Sequence, residues 1–525
     1  MSRQAYIVGG GIAALSAAIL LIRDKHLAGD QIHILEASRQ TGGSLDGGGN
    51  PDSGYLVRGG RMFEAHFGCT FDLLQNIPSL INPNISVTEE IKQFTEAVVT
   101  SSKCRLVING NRTDGPLFEL SIGDKVKLLR LPYLSEKSLS TSSIEDYFTE
   151  AFFDTNFWIM WSTMFAFQRW HSLAECRRYM RRFMHLLPGF NRLQGIHRTE
   201  LNQYESIVNP CIKWLEQQGV HIHVNTAVSA VSFDDNKSHV VCIDYRNQSG
   251  IHTADVHKED WVLVTLGSMT DASTLGDMTR PPNIRQSSAN ANSWTLWRQL
   301  AQVSPQFGNP DVFASSTKQS QWDSFTVTLP NPKFFDYMER FTGNRAGTGG
   351  LVTFKHSNWL LSVVLAHHPH FSSQPADCRV SWGYGLQSWK PGDFVKKPMS
   401  ACNGQEILDE LTYQLGLDAH SKASLFNEAK CIPCHMPYIT SQFMPRGPGD
   451  RPQVIPAGAK NYAFIGQFCE LPEDTVFTVE YSVRSAQSAV TGLTGRNAVT
   501  PIYRGIRRPG VVASALWTPL TNGRG

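Results

Sequence analysis

The chain has 525 residues, too many for one simple core, so two or three domains are expected. It carries 48 Lys and Arg against 46 Asp and Glu, a net charge of +2, and bulk charge gives no reason to expect nucleic acid as a partner. Hydrophobic residues make up 41% and charged residues 18%, as in an ordinary globular protein, and no run of about 18 apolar residues is present to span a membrane. The start of the chain superficially resembles a signal peptide, but three consecutive glycines interrupt its apolar stretch. Ten cysteines scattered along the chain then point to reduced thiols and a cytoplasmic location.

Ala5-Tyr6-Ile7-Val8 predicts a short buried strand, and Gly9-Gly10-Gly11-Ile12-Ala13-Ala14 a glycine-rich turn opening a helix that runs to Ile22. Gln31 to Leu35 predicts a second strand that ends at Glu36. The helix start offers unpaired N–H groups and the positive end of its dipole to a pyrophosphate. Gly9 allows the tight turn, Gly11 lets the backbone approach phosphates, and Ala14 is a permitted variant of the third fingerprint glycine. Glu36 is placed to accept hydrogen bonds from a ribose 2′-OH. Strand, turn, helix, strand and acid in register read as dinucleotide binding. Thr41 to Gly47 forms a second flexible turn, whose Gly43, Ser44 and Leu45 would return beneath a flavin ribityl chain. Gly54 to Arg61 then places glycines, Arg58 and Arg61 where backbone could lie against an isoalloxazine. A second glycine-rich segment after the acid is of little use to a plain nicotinamide fold, so FAD is favoured over NAD.

Residues 120–215 read as mainly helical. Phe152 to Trp170 is rich in Phe and Trp, which suits either a packed core face or the wall of a long apolar tunnel. Arg177, Arg178, Arg181 and Arg182 flank Tyr179 and Met180. A charge run is usually a solvated face, and a basic patch here would attract an anionic membrane surface or fatty carboxylates. From His221 the pattern HIHVNTAVSAVSF alternates as a strand, with Val228 expected to meet the adenine through its backbone. Trp261 to Leu266 predicts a buried strand, with Thr265 and Gly267 returning to the nucleotide. Residues 270–300 read as an Asn/Ser/Pro-rich loop and 300–345 as a substrate-domain insertion. Tyr462 to Gln467 is the last cofactor strand, bringing Gly466 and Gln467 to the flavin, with Thr475 just before a helix through Ala489. Cys431-Ile432-Pro433-Cys434-His435 matches a haem-attachment pattern, but without export or a second ligand pair it reads as two buried thiols, and no metal is expected. The basic, Pro/Gly-containing tail after Arg496 is expected to be loosely ordered.

The stretch Val57 to Cys69, VRGGRMFEAHFGC, resembles the RGGRE-M-E-x-H-x-E-C signature of the oleate hydratases, flavoproteins once called myosin-cross-reactive antigens. The resemblance continues through Trp161 to Gln168, Cys176 to Tyr179 and Asn202-Gln203-Tyr204, and resumes at Gly349 to Lys355 and Trp382 to Leu386. It closes with Asp450-Arg451-Pro452 and Phe464 to Phe468. It implies an α/β fold: a two-dinucleotide-binding-type FAD flavoprotein with a Rossmann-like FAD domain, a substrate domain and helical insertions.

The same resemblance implies site roles. Hydrating an isolated alkene needs a proton donor at one carbon and a positioned water at the other, in a site that tolerates carbocation character. The family's donor is the tyrosine of its RRY motif, here Tyr179, and the neighbouring arginines would make that phenol more acidic. The family's water-activating glutamate is replaced by Met62, whose thioether cannot take a proton, and Glu64 is the acid that could substitute. The family's carboxylate anchor T-x-N-R-Q-P-H aligns with Val364 to His370, so Thr and Asn have become Val364 and Ala366. Anchoring then falls to Gln203 and His370, helped by His367 or His368, with Phe165 and Phe167 lining the acyl tunnel.

The expected organisation is a discontinuous FAD domain (1–115, 205–270 and 455–495), a helical insertion lining the substrate site (116–204), a substrate domain (271–454) and the tail (496–525). The implied activity is addition of water across the cis-9 double bond of a free unsaturated fatty acid, oleate to 10-hydroxystearate, by a redox-neutral lyase. Two other readings share the cofactor fold: an oxidoreductase of the amine oxidase or desaturase kind, and a non-catalytic flavin- or lipid-binding protein. Its short ends favour a monomer.

Overall fold

The computed structural model describes residues 2–60, 62–139, 141–284, 292–495, 498–521 and 523. Arg61, expected beside the cofactor, lies outside the described residues. Five parallel strands form the first sheet: β1 (Ala5–Val8), β2 (Ile32–Leu35), β3 (His221–His223), β4 (Trp261–Thr265) and β5 (Tyr462–Ile465). Their order is β5-β4-β1-β2-β3, with Ala5 in register with both Ile32 and Trp261. β1 and β4 are near-continuous apolar runs because both strands are buried, with helices packed on the sheet. Helix α1 (Ile12–Arg23) starts at Gly11, buries nearly every residue and ends with Arg23 on its negative dipole end. Its small alanines allow close packing against the sheet and the helix Val479–Thr494.

A second sheet of eight strands carries the larger part of residues 271–454. Trp322–Leu329 lies inside it, buried along its whole length between Lys430–Met436 and Arg379–Gly385. The strands Cys104–Ile108 and Asn111–Asp114 extend this sheet, although the sequence places them in the cofactor domain; Leu106 and Val107 pair with Thr353 and Phe354 across a large sequence gap. A glycine hairpin, Gly47–Asn50 with Gly54–Val57, follows β2 of the first sheet in the chain and packs on the second. Its Tyr55 and Val57 amides donate to Thr328 Oγ1 (2.8 Å) and Thr326 Oγ1 (3.1 Å), fixing the segment that follows between them.

Three further expectations are corrected. The alternating run from His221 is two strands, β3 and Ala227–Phe233, which belong to different sheets because a turn at Asn225 (φ 51°) redirects the chain. Part of the 270–300 loop is a helix, Asn292–Val303, held by the buried Trp294 and Trp297. The tail is ordered in its described part: Pro509–Leu520 is helical, and Tyr503 stacks on His66 at 3.6 Å. The two thiols of Cys431 and Cys434 are free and buried, as expected, on opposite faces of a strand. Among the described residues no helix is long and apolar enough to cross a membrane.

Helix α2 (Asn156–Phe165) packs its aromatic residues into the main core. Helix α3 (Leu173–Phe183) carries the arginine run, and its charges are not solvated. Arg177, Arg178 and Arg182 are buried, and the run pairs with acids from distant segments. Arg178 bridges Glu136 and Glu470 (2.8 Å), and its Nη1 donates to the Leu471 and Asp474 carbonyls. Arg181 binds Glu473 at 2.6 Å, and Arg182 lies 2.7 Å from Glu64. Glu175, fully buried, meets Arg451 (2.9 Å) and Arg446 (3.2 Å). Helix α4 (Val479–Thr494) continues the lattice through Arg484, which binds Asp474 and Glu480. The expected membrane-facing patch is therefore absent from these four arginines. Arg177, Arg178 and Arg181 hold segment 470–480 against α3, while Arg182 is committed to Glu64 and the His66 carbonyl.

Burial alone would push the Glu175 carboxyl up, but Arg451, Arg178 and Arg446 outweigh it and hold it at about 2, below the ordinary 4.5. A depressed carboxylate stabilises the fold above its unfolded value and loses that contribution as pH falls toward the folded one. Glu175→Gln leaves the buried Arg451 without its acid, while Arg446 keeps Glu470, and is expected to cost about 3–5 kcal/mol in urea unfolding at neutral pH. The gap between wild type and variant should narrow between pH 4.5 and 2.

Candidate active site

A cleft of about 390 Å³ opens at the carboxyl ends of β1, β2 and β4. Gly9 turns there with φ +95°, and a Cβ at this position would lie 3.0 Å from Thr265 Oγ1. Only glycine satisfies both the dihedral and the close approach. The Gly10 amide donates to Glu36 Oε2 (2.6 Å), while the Ser38 amide donates to Glu36 Oε1 (2.7 Å). Gly11 caps α1 and faces open space where a side chain would project, leaving the helix N-terminus accessible from the cleft. The second glycine turn closes on the first, with the Gly42 amide donating to the Gly10 carbonyl at 2.8 Å. Gly43 and Ser44 line the same space, and Val228, Thr265, Gly267, Gly466 and Gln467 form further parts of its wall.

The donor set fits a dinucleotide. The helix start suits a pyrophosphate, the Glu36 carboxylate suits a ribose, and the buried Thr265 Oγ1 has no hydrogen-bond partner. Three residues expected at the cofactor are placed elsewhere. Ala14 lies on the inward face of α1, Leu45 turns into the core, and Thr475 is buried off the cleft wall. Sequence reasoning missed Asp46, which pairs with Arg58 at 2.6 Å on the cleft wall. An acid within the second glycine turn was the available signal.

Beyond the cleft lie two cavities of about 110 and 80 Å³. They share Gly60, Met62, Met164 and Phe477 and so adjoin as the two arms of a passage, with Met62 among the residues between them. Cleft and passage are next to each other in the chain: Arg58 lines the first, while Val57, Gly59 and Gly60 line the second. The Phe477 amide also donates to Gln467 Oε1 at 2.6 Å, tying a residue of the passage to one of the cleft.

One arm of the passage has a polar end. Gln203, His367, His370, Thr199 and Arg198 line it together with Val364 and Ala366. Asn202 brings Gln203 and His370 together: its backbone amide and its side-chain Nδ2 both donate to the His370 carbonyl at 2.9 Å. Burial, followed by the neighbouring His367 and Arg198, pulls His370 down to about 4, so it is neutral at physiological pH. Aromatic walls come from Trp322, Trp382 and Tyr384. The sequence signal for Arg198, just upstream of the NQY motif, was overlooked.

The other arm holds Tyr179, Phe165, Phe183 and Glu64. The Tyr179 hydroxyl donates to the Val476 carbonyl at 2.6 Å, and its ring packs edge-on to Phe165. Phe167 does not line the passage; it is buried behind Tyr179, against that ring and Phe443. Burial would raise the Glu64 carboxyl, but hydrogen bonds from His185 and His66 and the Arg182 charge hold it at about 2. A carboxylate held that low is a poor proton acceptor, which counts against Glu64 as a replacement water activator. It is nonetheless the one carboxylate lining either arm among the described residues.

The buried Glu64–Arg182 pair has a testable consequence. Glu64→Gln is expected to lower stability by about 3 kcal/mol in denaturant unfolding, because Arg182 is left unpaired. Adding Arg182→Met to the same chain should recover most of that loss.

The MCRA family model matches residues 2–491. The chain is 40% identical to an oleate hydratase of Streptococcus pyogenes serotype M49 (strain NZ131) over 504 residues, covering 93% of this chain and 84% of that protein. It is 31% identical to a linoleate hydratase of Lactiplantibacillus plantarum, covering 94% of each. Among solved structures it resembles the cyclohexylamine oxidase of Brevibacterium oxydans IH-35A, with a TM-score of 0.54 at 12% identity over 94% of this chain and 99% of that one. A redesigned putrescine oxidase gives a TM-score of 0.52, again at 12% identity, over 94% and 99% of the two chains. These likenesses concern the fold alone, which the chain shares with those two oxidases. The sequence match, nearly end to end, decides the family: the chain belongs to the MCRA family.

Proposed function

We propose that this chain is an FAD-dependent fatty acid hydratase. It adds water across the cis-9 double bond of a free unsaturated fatty acid, oleate to 10-hydroxystearate, with no net redox change. The observation that carries this reading is the pair of adjoining cavities, one holding Tyr179 and the other a polar end, with the nucleotide cleft next to them in the chain. The apolar lining suits an acyl chain, and the names of the two relatives support the same chemistry. The glycine cradle at Gly9 to Gly11, Glu36 and the second turn at Gly43 and Ser44 would hold FAD. FAD would supply an electron-rich surface beside the passage.

The chain's own residues account for the rest. Gln203 and His370 receive the carboxylate end, and Phe165, Met164 and Phe477 enclose the alkene away from bulk water. Tyr179 gives its phenolic proton to one alkene carbon, water bonds to the other, and the proton that water sheds restores the phenol. With a thioether at Met62 and Glu64 held ionised by hydrogen bonds from His185 and His66 and by the Arg182 charge, proton donation by Tyr179 leads and water adds to a carbon already carrying positive character. A redox flavoenzyme would instead need a hydride or electron acceptor in each turnover.

The test is product analysis by gas chromatography and mass spectrometry after incubating the FAD-loaded enzyme with oleate. Hydroxystearate is expected from wild type. Tyr179→Phe should lower its rate by about 10²–10⁴-fold with bound flavin unchanged. Equal rates for the two would remove Tyr179 from the reaction. A desaturated or oxidised product would replace the hydratase reading.

A further inference from the structure

The polar arm of the passage contains a cation that no acid among the described residues neutralises. Arg198 is half-buried and is the one Arg or Lys lining that cavity among the described residues. Its Nε has no hydrogen-bond partner, and no carboxylate among the described residues reaches salt-bridge distance of its guanidinium. Burial alone pulls the group down to about 10, which leaves it charged at physiological pH. This contrasts with the arginines of α3, each of which is paired with an acid.

The surrounding backbone is shaped to this side chain. Gly349 sits at φ +82°, where a Cβ would collide with the Arg198 guanidinium. Gly347, at φ +77°, leaves equivalent room for His367, whose Nδ1 would be 2.8 Å from a Cβ. Two glycines in the left-handed region therefore admit Arg198 and His367 side by side at the cavity end. The other residues there carry no charge at neutral pH: His370 and His367 are both shifted down by burial, and Val364 and Ala366 offer no side-chain hydrogen bond.

We infer that Arg198 binds the carboxylate of the acyl substrate as a guanidinium fork beside Gln203 and His370, and that it restricts the site to free acids over esters and alcohols. This rests on the acyl reading of the passage given above. An enclosed guanidinium without an acid is costly, and a planar carboxylate entering with the ligand matches its fork with two charge-assisted hydrogen bonds. A neutral ester head leaves the cation unpaired, so the same residue that attracts the acid rejects the ester. It also offsets the absence of Thr and Asn at positions 364 and 366, where this chain has Val364 and Ala366.

The test uses the FAD-loaded enzyme and a saturated ligand that cannot be hydrated. Binding of dodecanoate and of methyl dodecanoate is followed by quenching of tryptophan fluorescence, since Trp322 and Trp382 line the cavity. Wild type should prefer the acid by at least about tenfold. Arg198→Gln should lose about 10–100-fold in affinity for the acid while binding the ester as before. Arg198→Lys should keep part of the preference, a rescue that a merely structural role would not give. If Arg198→Gln binds dodecanoate as tightly as wild type, the inference is overturned while the acyl reading stands. If wild type binds neither ligand, the acyl reading falls and the inference with it.

Discussion

The buried arginine–carboxylate lattice on α3 is the interaction on which the site depends. Guanidiniums from one face of that helix grip Glu470, Glu473 and the Leu471 and Asp474 carbonyls, so segment 470–480 cannot move independently of Tyr179. The same segment supplies Val476, which accepts the tyrosine hydroxyl, and Phe477 between the two arms of the passage. Such pairs are costly to desolvate and bring little net stability, but once buried none can lose its partner cheaply. The lattice thus acts as a rigid clamp between the helix that carries the proposed proton donor and the strand-to-helix connection at the cofactor.

A second constraint couples the two ligand spaces. The glycine hairpin 47–57 is hydrogen-bonded to the buried strand Trp322–Leu329 and runs on into Arg58, Gly59 and Gly60. One short segment therefore faces the nucleotide cleft through Arg58 and the acyl passage through its glycines. With Gln467 bonded to the Phe477 amide on the opposite side, cofactor and substrate walls share backbone. Electrostatic influence of a flavin on the passage needs no moving part under that arrangement.

Local chemistry was legible in the sequence, and long-range pairing was not. The strand, glycine turn, helix and acid from Ala5 to Glu36 follow from dihedral needs and burial within one short stretch, and the cleft residues Gly9, Gly11, Glu36, Gly43 and Ser44 came with them. Tyr179, Met62, Gln203 and His370 were reached through motif resemblance, and the fold gathers them along one passage. The α3 arginines were misread as a solvated or membrane-facing patch because Glu470 and Glu473 lie far away in the chain. Phe167 looked like a tunnel residue since composition cannot tell the front of an aromatic layer from its back. Arg198 escaped notice for a similar reason: the glycines that make room for it lie in a distant turn at 347–349.

The central claim is that a flavoprotein fold here supports hydration without net electron transfer. Its most direct test is anaerobic turnover of oleate in water enriched in heavy oxygen, with the flavin spectrum recorded while the product is analysed by mass spectrometry. The account predicts hydroxystearate carrying one heavy oxygen from water, with the flavin in the same redox state before and after. Unlabelled product, or product that accumulates only as the flavin is reduced or reoxidised, would contradict it.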